Sequence, residues 1–297
     1  MLRGSLAAIV TPMTADGSPD WAAWERLLDF HVAAGTDGVV IAGTTGESPA
    51  LTLEEIEELT CRAVARCSGK IKIIVGAGTH ATASTVARTR YLSRLGADAV
   101  MLVTPYYNKP PQEGLFRHFV AAADVSAVPV VLYNVPSRTA VDLLPATVAR
   151  LARHPRIAAL KDASAYLSRV RELLSVCPPE FAVLSGDDAT AIEWIGAGAH
   201  GVISVSANVA PERMREACRA ALAGDMAAAR TIDAELQPLH KDLFVEANPI
   251  PVKWAVARMG LIGNAIRLPL VELSPGNQDV VLRAMRAAGI RLEEQAA

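Results

Sequence analysis

The sequence is poor in cysteine, and its few cysteines form no recognisable pattern. The 297 residues include four, and the spacing of Cys61, Cys67, Cys177 and Cys218 fits neither a metal site nor a redox motif. We therefore expect reduced thiols, which are typical of cytoplasmic proteins.

A strong net charge and long hydrophobic runs are also missing. The formal net charge of -2 gives no basic surface for nucleic acid or for an anionic membrane. No apolar run approaches the roughly 18 residues of a membrane span. Residues 1–5 lead into a strand-like run instead of the apolar core and cleavage site of a signal peptide. We expect a soluble, cytoplasmic protein with no nucleic-acid and no membrane partner.

What the sequence does contain is a regular alternation of short apolar runs with amphipathic helical segments. The helical spacing i, i+3, i+4, i+7 begins after a cap at Ser18 and again after a capping box formed by Thr52 and Glu55. Further helical segments are expected at 82–95, 112–124, 144–153, 166–176, 188–197 and 211–223. Eight apolar runs read as buried strands, at 6–12, 38–43, 71–76, 99–105, 128–134, 157–161, 181–185 and 201–206.

Eight strand–helix units predict an α/β protein, a (β/α)8 TIM barrel, because this alternation gives parallel strands with right-handed crossovers. A doubly wound open sheet is the alternative, but the glycine-rich turn of dinucleotide folds is missing. From about residue 225 only helical periodicity remains, broken by Pro238 and by the prolines at 249–251, 269 and 275. We expect a catalytic barrel at residues 1–224 and a small C-terminal helical domain of about three helices at 225–297, which covers the barrel flank or an oligomer contact.

Lys161 stands at the end of one apolar run, where an ammonium group is costly to bury. It is either half-exposed at the rim of the fold or a neutral amine with a catalytic role. The apolar run by itself favours the half-exposed position. The other strand ends reverse that preference, because barrel enzymes build their sites there. Small polar or phenolic residues occupy six of the eight ends, at 43–47, 106–108, 133–139, 161, 185–188 and 204–208.

These residue types suit one kind of chemistry. A lysine desolvated in a barrel mouth loses its proton easily and can form a Schiff base with a carbonyl, and a nearby phenol can carry protons. Thr44 and Thr45 suit the binding of a substrate carboxylate, and the planar guanidinium of Arg138 suits bidentate binding of a second carboxylate. No histidine has a metal-ligand partner at i+4. The residues predict an aldolase-like lyase that acts on a small 2-oxo acid without a metal.

The sequence resembles the dihydrodipicolinate synthase / N-acetylneuraminate lyase family over essentially its whole length. The resemblance to the synthase branch lies in 43–48 (GTTGES), 133–139 (YNVPSRT), the Lys161 strand, 185–188 (SGDD) and 248–253 (NPIPVK). It implies a (β/α)8 barrel with a C-terminal helical domain, assembled as a homotetramer that is a dimer of dimers. Asp162 and Ala165 depart from the usual glutamate and glycine, but neither change removes a reacting group.

The resemblance also implies catalytic roles. Lys161 would form an imine with pyruvate, so that no separate cofactor is needed. Tyr133 would be the proton donor and acceptor. Thr44 would link Tyr133 to Tyr107, and Tyr107 would reach into the site of the neighbouring subunit.

Four further residues would bind the substrates. Thr45 and the backbone of Ile203 would hold pyruvate, with Gly186 lining the pocket. Arg138 would bind the carboxylate of the second substrate, L-aspartate 4-semialdehyde. The enamine of pyruvate would attack that aldehyde, and ring closure would free the lysine, in a step towards diaminopimelate and lysine.

Two other functions stay open. The first is a sister class I pyruvate-dependent aldolase acting on another 2-oxo acid, a branch that generally lacks the arginine at position 138. The second is a catalytically dead binding or sensor protein, against which the retained site residues argue.

Inhibition by L-lysine, which is common among relatives, is expected to be weak or absent. The inhibitor position corresponds to Ser48, Pro49, Leu53, Ile56, His80, Ser84 and Tyr106. Inhibited relatives carry a glutamate at position 84, and Ser84 leaves an ammonium group without a charged partner. The alternative is that Glu54 or Glu57 supplies the missing acid.

Overall fold

The fold is a closed barrel of parallel strands surrounded by helices, as the strand–helix alternation predicts. The computed structural model describes residues 2–292. Neighbouring strands pair in sequence order, and β8 pairs with β1 to close the barrel. The strands are β1 (Gly4–Ala8), β2 (Gly38–Ile41), β3 (Lys72–Gly76), β4 (Ala99–Val103), β5 (Val130–Asn134), β6 (Ile157–Asp162), β7 (Ala182–Ser185) and β8 (Gly201–Ser204).

Helices lie at all eight predicted places, with ends that differ by a few residues, and a short helix at Pro136–Thr139 was not predicted. Around the barrel lie α1 (Trp21–Ala33), α2 (Leu53–Cys67), α3 (Thr82–Leu92), α4 (Gln112–Ala123), α5 (Pro136–Thr139), α6 (Pro145–Leu151), α7 (Leu167–Val176), α8 (Ala191–Gly196) and α9 (Pro211–Leu222). The described chain continues with α10 (Met226–Asp242), α11 (Ile250–Arg258) and α12 (Pro275–Ala287). Within residues 2–292, no helix is long and apolar enough to cross a membrane.

The helix ends confirm one predicted cap and correct another. Thr52 and Glu55 form the expected capping box at the start of α2. The predicted cap at Ser18 is wrong, because Asp20 directly precedes α1 and its side chain accepts the Ala23 N–H bond.

The prediction that Pro238 breaks the helical pattern is also wrong. Pro238 lies inside α10, which runs on to Asp242. A proline removes one backbone hydrogen bond, and a helix packed on its neighbours can tolerate that loss. Helix α10 contacts both α9 and α12.

Alternation along the strands divides the core into two apolar layers. One layer fills the barrel and includes Val131, Tyr133, Ala159 and Ile203. The other lies between the strands and the helices and holds most of the buried apolar residues. Because side chains alternate between faces, Lys161 points into the barrel like Ala159, two residues earlier on β6.

Candidate active site

Lys161 and Tyr133 lie side by side at the carboxyl ends of β6 and β5. The two residues are register partners in the sheet. Their side chains are almost fully buried, with 5% of Lys161 and 6% of Tyr133 exposed. The Lys161 Nζ atom lies 4.4 Å from the centroid of the Tyr133 ring. A lysine amine and a phenol therefore share one buried space at the mouth of the barrel.

Burial changes the protonation of Lys161. It lowers the pKa of this lysine from 10.5 to about 8, which Asp188 partly counteracts and which the Arg138 guanidinium reinforces. A pKa of about 8 leaves roughly a tenth of the amine neutral at pH 7, against less than about a thousandth for an ordinary lysine. The buried amine is thus available as a nucleophile near neutral pH.

Gly186 leaves room for the Lys161 side chain. It follows β7, and its N–H donates to the carbonyl of Asp162 at 2.8 Å. A Cβ atom at position 186 would lie 3.0 Å from the Lys161 Cε atom and 3.1 Å from its Cγ atom. A methyl group at this position would therefore require the Lys161 side chain to shift by a few tenths of an ångström.

The Tyr133 phenol is buried, and its surroundings have opposite effects on its pKa. Burial raises this pKa, while Arg138 and the adjacent Thr44 hydroxyl lower it and Asp162 raises it. The phenol is therefore protonated at neutral pH and can donate its proton. The Thr44 hydroxyl is thus close enough to the Tyr133 phenol to affect its pKa.

A cavity of about 460 Å³ opens beside these residues. This volume is within the range of small-molecule sites. Thr44, Tyr133 and Arg138 lie on its wall, whereas Lys161 and Gly186 lie outside the lining. Tyr133 connects the cavity to Lys161. The rest of the polar wall comprises Ser48, Thr79, His80, Ser84, Arg88, Tyr106 and Thr139.

The remaining predicted binding residues lie close to the barrel mouth. Thr45 is 2% exposed, and its Oγ1 atom accepts a hydrogen bond from Asn248 Nδ2 at 3.0 Å. Ile203 is buried in the same interior layer as Tyr133. Arg138 is exposed on α5, and its Nη2 atom donates to the Asn248 carbonyl at 3.2 Å.

Tyr107 is separate from this group. Its side chain is 91% exposed and lies outside the cavity wall. Its backbone has a φ of 73°, in the left-handed region. A non-glycine residue there costs about 1–3 kcal/mol and persists only where its surroundings hold it. A single chain therefore presents Tyr107 to the outside, away from its own site.

Sequence reasoning missed the part played by the C-terminal segment. Asn248 contacts both Thr45 and Arg138. Lys253 on α11 forms a buried ion pair with Glu47, which follows the two threonines. Lys253 lies in the apolar stretch 250–256, where an ammonium group is as costly to bury as at Lys161, so this cost was a signal for it in the sequence.

Comparisons with known proteins identify the family of the chain. The Dihydrodipicolinate synthetase family matches residues 1–288. The chain belongs to this family. A 4-hydroxy-tetrahydrodipicolinate synthase from Laribacter hongkongensis is 56% identical over 98% of this chain and 100% of its own length. One from Alcanivorax borkumensis is 52% identical over 98% and 99%.

Solved structures of the family have the same fold. The chloride-inhibited dihydrodipicolinate synthase from Acinetobacter baumannii, crystallised with pyruvate, superposes with a TM-score of 0.96. It is 45% identical, and the match covers 98% of this chain and 100% of that one.

Proposed function

We propose that this chain catalyses the 4-hydroxy-tetrahydrodipicolinate synthase reaction, the condensation of pyruvate with L-aspartate 4-semialdehyde. The observation that carries the proposal is the buried Lys161 amine, with a pKa of about 8, beside the Tyr133 phenol. A class I aldolase needs this pair, a neutral amine and a proton carrier. The relatives described above have this activity by name.

The reaction begins with imine formation. The neutral Lys161 amine adds to C2 of pyruvate, and water leaves once the carbinolamine oxygen has received a proton. Loss of a proton from C3 gives an enamine, which forms a carbon–carbon bond to the aldehyde of the second substrate. The amino group of that substrate then attacks C2, closes the ring and releases Lys161, so no separate cofactor takes part.

Each neighbouring residue has a role in these steps. Tyr133 donates and accepts the protons, and Thr44 orients its hydroxyl. Tyr107 of a neighbouring subunit completes the relay. The buried position of Tyr133 and the adjacent Thr44 hydroxyl support this assignment.

Substrate binding involves four further residues. Thr45 and the Ile203 backbone hold the pyruvate carboxylate, and Gly186 keeps the space around the imine open. Arg138 binds the carboxylate of L-aspartate 4-semialdehyde, because a guanidinium on the cavity wall can form a charge-assisted, two-pronged contact with it.

The proposal extends to assembly, domains and location. A homotetramer built as a dimer of dimers would bury the exposed Tyr107 side chain. The left-handed backbone at Tyr107 would then serve to direct this side chain towards the neighbouring subunit. The chain divides into a barrel at 1–224 and a helical domain at 225–297, since α9 ends at Leu222 and α10 begins at Met226. The four free thiols fit a cytoplasmic enzyme.

A coupled assay tests the function. Purified protein is given pyruvate with L-aspartate 4-semialdehyde, and in parallel pyruvate with N-acetylmannosamine. We expect turnover with the first pair only, and its loss in Lys161→Ala. Turnover with another aldehyde acceptor and none with the semialdehyde would instead identify a sister aldolase.

A further inference from the structure

Two charged side chains meet inside the protein where the C-terminal segment contacts the barrel. The Lys253 Nζ atom lies 2.5 Å from Glu47 Oε1, and each side chain is 1% exposed. The second carboxylate oxygen of Glu47 accepts the backbone N–H bond of Arg267 at 3.0 Å. Glu47 is thus held by two separate parts of the C-terminal segment.

Stability alone does not account for this pair. Removing two charges from water is costly, and a well-packed apolar pair of similar volume is often as stable or more so. Burial lowers the pKa of Lys253, and the Glu47 carboxylate opposes this shift. A buried ion pair fixes the relative position of the two segments that carry it, which an apolar contact does less sharply.

Glu47 belongs to the turn that carries Thr44 and Thr45. The Glu47 N–H donates to the Thr44 carbonyl at 3.1 Å, and the Gly46 and Ser48 N–H groups donate to the Gly43 carbonyl. Glu47 has a left-handed φ of 57°. A conformation of this kind persists where other contacts impose it. The contacts of its carboxylate with the C-terminal segment supply that restraint.

Asn248 provides a second contact between the same two parts of the chain. Its side chain donates to Thr45 Oγ1 at 3.0 Å, and its carbonyl accepts from Arg138 at 3.2 Å. The turn is therefore fixed on its Thr45 side by Asn248 and on its Glu47 side by Lys253. A small displacement of reacting groups costs much of an enzyme's rate, so such restraint has a direct catalytic value.

We propose that the Lys253–Glu47 ion pair is a positioning pair, which holds Thr44 and Thr45 in the orientation needed for pyruvate. The C-terminal helical segment is then part of the active site, and not only a cover for the barrel flank. The inference rests on the proposed roles of the two threonines. Neither member of the pair touches substrate.

The test compares an uncharged replacement of the pair with the native enzyme. We expect the double variant Glu47→Gln with Lys253→Met, which keeps an acceptor for the Arg267 N–H, to fold with a melting temperature close to native. Its KM for pyruvate should rise at least tenfold, and its KM for L-aspartate 4-semialdehyde should change much less. A folded double variant with native kinetics would overturn the proposal, because the pair would then be structural only.

Two further variants keep the test decisive. Glu47→Gln retains the contact with Arg267 and removes the charge of the carboxylate. We expect the KM of this variant for pyruvate to rise at least threefold. A native KM would overturn the proposal even if the double variant failed to fold. Lys72→Met is the matched control, since Lys72 pairs with Asp98 on the surface and is 60% exposed. It should behave as native.

The outcome is distinguishable from failure of the proposed function. If the native protein shows no turnover with pyruvate and the semialdehyde, the function is wrong. If the native protein is active and Lys161 of the variants still forms the imine at saturating pyruvate, a raised KM reports on positioning alone.

Discussion

Lys161 and Tyr133 are register partners on adjacent strands, and the lysine nitrogen lies 4.4 Å from the centre of the tyrosine ring. The pairing follows from strand alternation, which turns both side chains into the barrel. Burial then lowers the pKa of the lysine and raises that of the phenol. A nucleophilic amine and a protonated acid thus coexist at neutral pH in one small space.

Gly186→Ala should impair imine formation. The added methyl group would lie 3.0 Å from Lys161 Cε and displace the lysine stem. When the imine between pyruvate and Lys161 is trapped by reduction, we expect the rate of trapping to fall at least tenfold, which corresponds to about 1.4 kcal/mol or more. Trapping rates measured by mass spectrometry check this. Gly276→Ala is the control, because a methyl group at Gly276 meets no atom within 4 Å. An unaffected Gly186→Ala enzyme would show that the lysine has room to move.

Arg138→Ala should affect the second substrate more than the first. The loss of a charge-assisted contact to the carboxylate of L-aspartate 4-semialdehyde should cost about 1.5–3 kcal/mol, at least tenfold in kcat/KM. Pyruvate trapping on Lys161 should change less. If trapping falls as steeply as turnover, the main role of Arg138 is its hydrogen bond to the Asn248 carbonyl.

Tyr107 should act across a subunit boundary. Lys161→Ala and Tyr107→Phe should each be nearly inactive, but unfolding and remixing the two should restore about a quarter of the sites, because a two-fold dimer shares residues symmetrically. Steady-state assays and sedimentation of the mixture measure this. An active monomer, or no gain on mixing, would mean that Tyr107 only packs on the rim.

L-Lysine should inhibit weakly or not at all at millimolar concentration. The cavity that includes Ser48, His80 and Ser84 is also lined by Arg88, and its described wall carries no carboxylate. The ammonium group of a bound L-lysine would lie near the Arg88 guanidinium and would have no carboxylate to pair with. Glu54 and Glu57, the acids considered above as substitutes, lie outside this wall, and Ile56 is fully buried. Titration of L-lysine into the coupled assay decides the matter, and half-inhibition well below millimolar would refute the expectation.

The barrel could be predicted from local patterns. Each strand is a short apolar run, and the Thr52–Glu55 box marks a helix start by chemistry that acts over three residues. The errors arose where two local signals competed or where packing prevailed. Asp20 caps α1, although serine and aspartate are similarly good N-cap residues and Ser18 lies only two residues earlier. Helix α10 continues through Pro238.

The site could be predicted in part. The strand ends identified Lys161 and Tyr133, because parallel strands bring their carboxyl ends together. The Lys253–Glu47 pair joins residues 206 positions apart, and no periodicity in one sequence specifies such a contact. The 91% exposure of Tyr107 is likewise a property of the folded chain that local sequence patterns do not specify.

Reductive trapping of pyruvate on the protein, followed by peptide mapping at several pH values, tests directly whether Lys161 forms the imine. We expect a reduced pyruvyl group on Lys161 alone, and none in Lys161→Ala. Its rate of formation should rise with pH up to about 8 and then level off, since the amine is neutral above its pKa. Label on another lysine, or undiminished label in Lys161→Ala, would show that Lys161 is not the residue that forms the imine.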